Sequence, residues 1–142
     1  MPSSSLPVEH LFTLTATLGG ASVIQNGPQG SRVIVAVTGG TFEGEKLKGT
    51  IVPNSGCDWV TRRADGSLRL DVRITLQTDD GAAIFMAYNG IGKPQDGGNV
   101  LRTAPLFETG DERYSWLNAL QAVATGTSGQ GTVTYDVYAL SF

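Results

Sequence analysis

Between two Asp-Gly dipeptides, Asp65-Gly66 and Asp80-Gly81, the chain holds its longest apolar/polar alternation, residues 67–78. A period of two is the signature of a β-strand with one apolar face. Asp-Gly is a hairpin pair, because a tight primed turn needs positive φ, which Gly and Asp tolerate. The strand is therefore turned back at both ends, with residues 58–63 before it and 82–89 after it, as an antiparallel meander. Around it, residues 39–89 carry Asp58, Trp59, Asp71, Arg73 and Tyr88, the polar and aromatic mixture that a cleft needs to orient a small organic molecule.

The rest of the chain repeats the theme. Residues 8–18 alternate from Val8 to Leu18, residues 31–38 are β-branched, and residues 132–142 alternate again. Short strands are expected at 48–53 and 99–107, the latter with Pro105 weakening it or placing it at an edge. Val23 and Ile24 leave room for a short strand in the Gly/Asn/Pro-rich stretch 19–30, and Gly39-Gly40 reads as a bend or bulge. Residues 90–98 read as a Gly/Pro loop and 126–131 as a glycine turn. Thr109-Gly110-Asp111-Glu112 has the form of a capping box and predicts a single helical turn, after which residues 117–125 return to strand. Residues 1–7 read as a flexible lead-in and 8–142 as one domain. Eight to ten short strands with no long helix must close into a barrel or split into a sandwich to limit exposed edges. The expected fold is an all-β antiparallel barrel with one short helical turn, able to hold one small ligand.

Composition excludes more than it assigns. Nineteen glycines and only 16% charged residues in 142 suit a turn-rich β protein. Ten basic residues against thirteen acidic give a net charge of −3, and the basic ones form no stripe, which disfavours nucleic acid. No apolar run approaches the roughly 20 residues of a membrane span, and the N-terminus lacks a secretion signal. The expectation is a soluble cytoplasmic protein without membrane partners. Cys57 and His10 stand alone in their types, so there is no disulfide framework, no zinc-ligand set, and no Ser-His-Asp triad without recruiting His10. No metal and no cofactor are expected.

Several ordered motifs resemble the UPF0311 family, also described as domain of unknown function 3237: GGTFEG at 39–44, LKG at 47–49, Cys57-Asp58-Trp59, LDVRITLQTDDGAAIF at 70–85, RTAPLFETGDERYSWLN at 102–118 and YDVYAL at 135–140. The resemblance implies a calycin-like (lipocalin-like) barrel, in agreement with the strand count. It draws attention to Asp58, Trp59, Asp71, Arg73, Thr78, Asp79 and Asp80, and to Arg102, Glu108, Tyr114, Trp116 and Asn118 in the later segment, but brings no mechanism.

Each candidate has a structural alternative. Asp71 and Arg73 share a face with Arg69, Thr75 and Gln77. That face is either a solvated exterior or, as the resemblance suggests, a pocket wall. Asp58 beside Trp59 is either an exposed turn residue or a desolvated acid–base group. Tyr88, on the face of Ile84 and Met86, is core or a pocket hydroxyl. Glu108 could pair with Arg102 or Arg113, and an aromatic-rich helical turn carrying Tyr114, Trp116 and Asn118 could lid a barrel end or wall a ligand site.

The leading expectation is a cofactor-independent enzyme of lyase or isomerase type, performing dehydration, conjugate addition with cyclisation, or an aldol-type step on a small organic substrate. Asp58 would be the acid or base, Arg73 and Arg102 would stabilise charge, and Trp59, Asp71, Tyr88, Glu108, Tyr114, Trp116 and Asn118 would bind substrate. The alternatives are a non-catalytic lipocalin-like binder of a hydrophobic small molecule and an oligomeric structural protein; homo-oligomerisation is left open.

Overall fold

The computed structural model describes residues 2–142; Met1, the first residue of the expected lead-in, lies outside the described residues. Ten strands follow one another: β1 (Val8–Gly27), β2 (Gly30–Glu43), β3 (Lys48–Ile51), β4 (Gly56–Arg62), β5 (Leu68–Thr78), β6 (Ala83–Gln95), β7 (Gly98–Thr103), β8 (Leu106–Glu108), β9 (Ala122–Gly129) and β10 (Thr132–Leu140). One 3-10 helix, Glu112–Ala119, joins β8 to β9. Every pairing is antiparallel, and the circuit β1–β2–β4–β5–β6–β7–β9–β10 returns to β1. The expected all-β, barrel-like fold is present. No helix among the described residues is long and apolar enough to cross a membrane.

Two positions in the ring are shared by two strands laid end to end. β3 and β4 both bridge β2 to β5, and β7 and β8 both pair with β6. Glycine makes the first arrangement fit. β2 passes from β4 to β3 at Gly40, whose φ of +145° and whose approach to the Thr15 carbonyl leave no space for a Cβ. Gly56, which opens β4, lies against the Arg73 carbonyl where a Cβ would collide. The second break falls at Ala104-Pro105; Pro105 is buried and has no N–H to give to a ladder.

The interior is the apolar row of each strand. Leu68, Leu70, Val72, Ile74 and Leu76 of β5 are buried, while Arg69, Arg73 and Gln77 are exposed. One end is filled by aromatic packing: Phe12 meets Phe42 at 5.4 Å and Phe107 at 5.9 Å between ring centroids. The 3-10 helix closes this end with Leu117 and Tyr114.

Local expectations change in five respects. β1 runs unbroken to Gly27, absorbing Val23 and Ile24. The segment expected as a loop at 90–98 belongs largely to β6 and β7, whose turn is Asp96-Gly97 with φ of 49° and 81°. β9 likewise continues to Gly129 and turns at Gln130-Gly131 with φ of 54° and 80°; these two are the turns with positive φ at both central residues. At Asp65-Gly66 and Asp80-Gly81 only the glycine has positive φ. The Gly66 and Gly81 N–H groups there donate to the Arg63 and Thr78 carbonyls, a type I turn followed by a left-handed glycine. The helix begins after Asp111, whose carboxylate accepts from the Arg113 N–H. Thr109 instead donates its hydroxyl to the Ala83 carbonyl, so the expected capping box does not form.

Candidate functional site

The half of the barrel away from the phenylalanines is hollow. A cavity of about 180 Å³ is walled by Val33, Val35 and Val37 of β2, Val60 of β4, Leu68, Leu70, Val72 and Ile74 of β5, Leu101 of β7 and Val133 of β10. Its polar lining falls into two groups. Asp58, Tyr88 and Tyr135 lie near the packed half, while Arg62, Asn99 and Ser128 stand close to the hairpin ends of β4, β7 and β9.

Strand parity places Asp58 inside. It pairs with Val35 on β2 and Val72 on β5, both cavity residues, so its carboxylate joins an otherwise apolar wall. Removal from water pushes its pKa up from 3.8 to about 6; the nearby Asp71 charge adds to the rise, and a hydrogen bond from the Asp71 N–H to Oδ1 at 3.2 Å partly opposes it. Tyr88 follows Ile84 and Met86 along the inner row of β6 and is 7% exposed. It meets Tyr135 edge-to-face at 5.4 Å. Burial, and then the Asp58 charge, raise the Tyr88 pKa, and burial together with Tyr88 raises that of Tyr135. Both hydroxyls therefore stay protonated and act as neutral donors or acceptors beside one titrating carboxyl.

Two of the residues expected at the site come together here, Asp58 and Tyr88. The others stand elsewhere. Trp59 follows Asp58 in the strand and so faces outward, opposite Ile34, half-buried on the outer surface. Asp71 and Arg73 occupy the outer row of β5, and Asp71 acts on the site through its backbone N–H and, across the strand, through its charge. The pocket-wall reading of this polar row is corrected, and its alternative, a solvated exterior, is the arrangement observed: the apolar row is the one buried in the lumen. Arg102 is exposed, with Nη1 donating to the Leu101 carbonyl at 2.8 Å. Glu108 is exposed on β8 opposite Phe85.

Tyr114, Trp116 and Asn118 belong to the closed end. The Tyr114 hydroxyl donates to Asp80 at 2.8 Å, Trp116 packs on the core beneath Lys46, and the Asn118 amide grips both the N–H and the carbonyl of Thr109. Asp80 follows the Thr78 end of β5, whereas the cavity mouth adjoins the Leu68 end, roughly 34 Å away along an extended strand. The helix therefore plugs the barrel and does not wall the ligand space. Tyr135, Arg62, Asn99 and Ser128 were not singled out in the sequence. Tyr135 was accessible there, since alternation in residues 132–140 puts it in a row with Val133 and Val137. Among the described residues no three His, Cys, Asp or Glu side chains gather as a metal-ligand set.

Comparison with known proteins accords with this architecture. A β-barrel-like protein of Acinetobacter baumannii superposes with a TM-score of 0.89 at 31% identity, covering 99% of both chains. A UPF0311 protein of Rhodopseudomonas palustris is 29% identical over 94% of this chain and 96% of its own. The hydroalkoxylation enzyme phnH of Penicillium herquei is 31% identical over 83% of this chain and 72% of its own. A solved enzyme from Penicillium herquei gives a TM-score of 0.76 at 27% identity, covering 99% of this chain and 98% of its own. The family model described as "Protein of unknown function (DUF3237)" matches residues 6–140, and the chain belongs to that family.

Proposed function

We propose that the cavity is an acid–base active site of lyase type, in which Asp58 relays a proton while a substrate hydroxyl adds across a carbon–carbon double bond. The observation that carries this reading is a single carboxyl, tuned to about 6, set in an apolar chamber beside two neutral tyrosines. Similarity to a hydroalkoxylation enzyme supports the reaction class.

At pH 7 Asp58 is about nine-tenths ionised and acts first as base. It takes the hydroxyl proton, and the oxygen attacks the far carbon of a C=C conjugated to a carbonyl. The π electrons move to the carbonyl oxygen, where the Tyr88 or Tyr135 hydroxyl donates to the developing enolate. The proton held on Asp58 then passes to the α-carbon and the carbonyl reforms. One C–O and one C–H bond form, one O–H and one C=C π bond break, and no electrons are gained or lost. The same groups run the reverse elimination.

The test is turnover of a panel of small hydroxy-substituted α,β-unsaturated ketones, followed by loss of enone absorbance. Asp58→Asn is expected to lower kcat/KM by about 100-fold or more, and Tyr88→Phe or Tyr135→Phe by about 10- to 100-fold. In the wild type, kcat/KM should rise as pH increases through about 6 and then level, because the base must be ionised. Wild-type rates in Asp58→Asn, or a flat profile between pH 5 and 8, would defeat the reading. Binding without turnover that is indifferent to Asp58→Asn would favour a carrier, the alternative suggested by the apolar wall.

A further inference from the structure

The second polar group of the cavity has no part in the proton relay. Arg62 closes β4, four residues beyond Asp58 on the same inner row, which places its Cα about 13 Å further toward the mouth. Arg62 is exposed, and among the described residues its guanidinium has neither an ion-pair partner nor a hydrogen bond to a side chain, whereas the adjacent Arg63 donates from Nε to the Ser67 hydroxyl. Facing it from the other side of the ring, Asn99 of β7 donates from Nδ2 to the Ser128 Oγ of β9 at 3.1 Å, which leaves the Ser128 hydroxyl proton free to donate into the mouth. Between Arg62 and Asp58 the lining is aliphatic: Val33, Val60, Leu70 and Leu101.

We infer that the site takes an amphipathic organic carboxylate whose apolar body fills the chamber and whose anionic end is held at the mouth by Arg62 and the Ser128 hydroxyl. This deepens the reading of the cavity as a substrate site and rests on it. Three features set the ligand class. A guanidinium fork matches a carboxylate with two parallel N–H donors. A chamber of about 180 Å³ is close to the roughly 150 Å³ that accepts benzene in an apolar protein cavity, so the body is of one-ring size. The ionised Asp58 at the inner end excludes a second anion there, which fixes polarity: the carboxylate stays at the mouth and the uncharged reacting atoms go inward.

The experiment is calorimetric titration at pH 7 with ω-phenylalkanoates from phenylacetate to 5-phenylvalerate, each against its primary amide and alcohol. Expected is at least tenfold tighter binding of the best carboxylate than of its neutral counterparts, with that preference weakening as salt is raised. Arg62→Gln should abolish the preference while leaving amide affinity within about twofold, and Arg62→Lys should restore part of it. Asp58→Asn should keep the preference, which separates anion capture from catalysis. Equal affinity for acid and amide, or a preference that survives Arg62→Gln, overturns the carboxylate assignment and leaves the acid–base reading standing. Failure of every probe to bind overturns the carboxylate assignment, while the acid–base reading stands or falls on turnover of the enone panel.

Discussion

An ionised carboxylate in an apolar wall is destabilising to the folded state, and Asp58 carries that burden at neutral pH. Its folded pKa of about 6 lies above the ordinary 3.8, so between those values the native chain holds a proton that the unfolded chain releases. Stability therefore falls as pH rises from about 4 to about 6 and is level beyond, a contribution of about 3 kcal/mol. Asn at this position keeps an oxygen to accept the Asp71 N–H and never ionises. Asp58→Asn is expected to be the more stable protein at pH 7.5 by an amount approaching that figure, with the gap closing as pH falls toward 4, read from urea denaturation at several pH values. A variant that is inactive yet more stable is the mark of a group retained for chemistry. Asp58 was legible in the sequence as a carboxyl held where burial could tune it. Its neighbour Trp59 was not separable from it, because the loop before them hides where the strand begins, and one residue of phase decides which of the two faces inward.

At the scale of elements, the 3-10 helix was legible as a feature and illegible as a place. The run from Thr109 to Asn118 announced a helical turn with aromatic residues, but nothing local says which barrel end it caps. That depends on β8 pairing with the Phe85–Ala87 end of β6, a contact between distant segments. Its side chains are used for closure: Leu117 is 1% exposed among core residues and Trp116 lies against the same cluster. Leu117→Ala should cost about 2–5 kcal/mol in denaturant unfolding. Trp116→Ala should leave the affinity of cavity probes unchanged within about twofold, whereas a ligand wall would lose most of it. The β5 row follows the same logic. Its alternation was plain, yet two faces of one strand carry no label of inside and outside until the sheet closes. Closure then leaves a single place to bury Leu70, Val72 and Ile74, and Asp71 and Arg73 take the water side.

Across the whole molecule, the barrel divides its length between packing and function. The division coincides with the breaks where β3 gives way to β4 and β8 to β7, so the rings of Phe12, Phe42 and Phe107 sit on one side and the chamber on the other. Strand count and turn residues were enough to expect a closed sheet. They could not locate the hollow half, because that depends on the summed volumes of side chains drawn from every strand at one level. The same truncation in the two halves separates them energetically. Leu14 is fully buried in the packed half and Leu101 is 3% exposed in the cavity wall. Removing Leu14 opens a void that close-packed neighbours cannot fill, so Leu14→Ala should fall near the upper part of the 2–5 kcal/mol range, about 4 kcal/mol. Leu101 already borders empty space and has fewer contacts to lose, so Leu101→Ala should cost about 2 kcal/mol. Its effect should appear instead in the chamber, which enlarges and shifts preference toward longer phenylalkanoates. Equal losses of stability in the two variants, with no change in ligand length preference, would mean that the chamber collapses onto Leu101 in solution. Its volume would then not be available to a substrate.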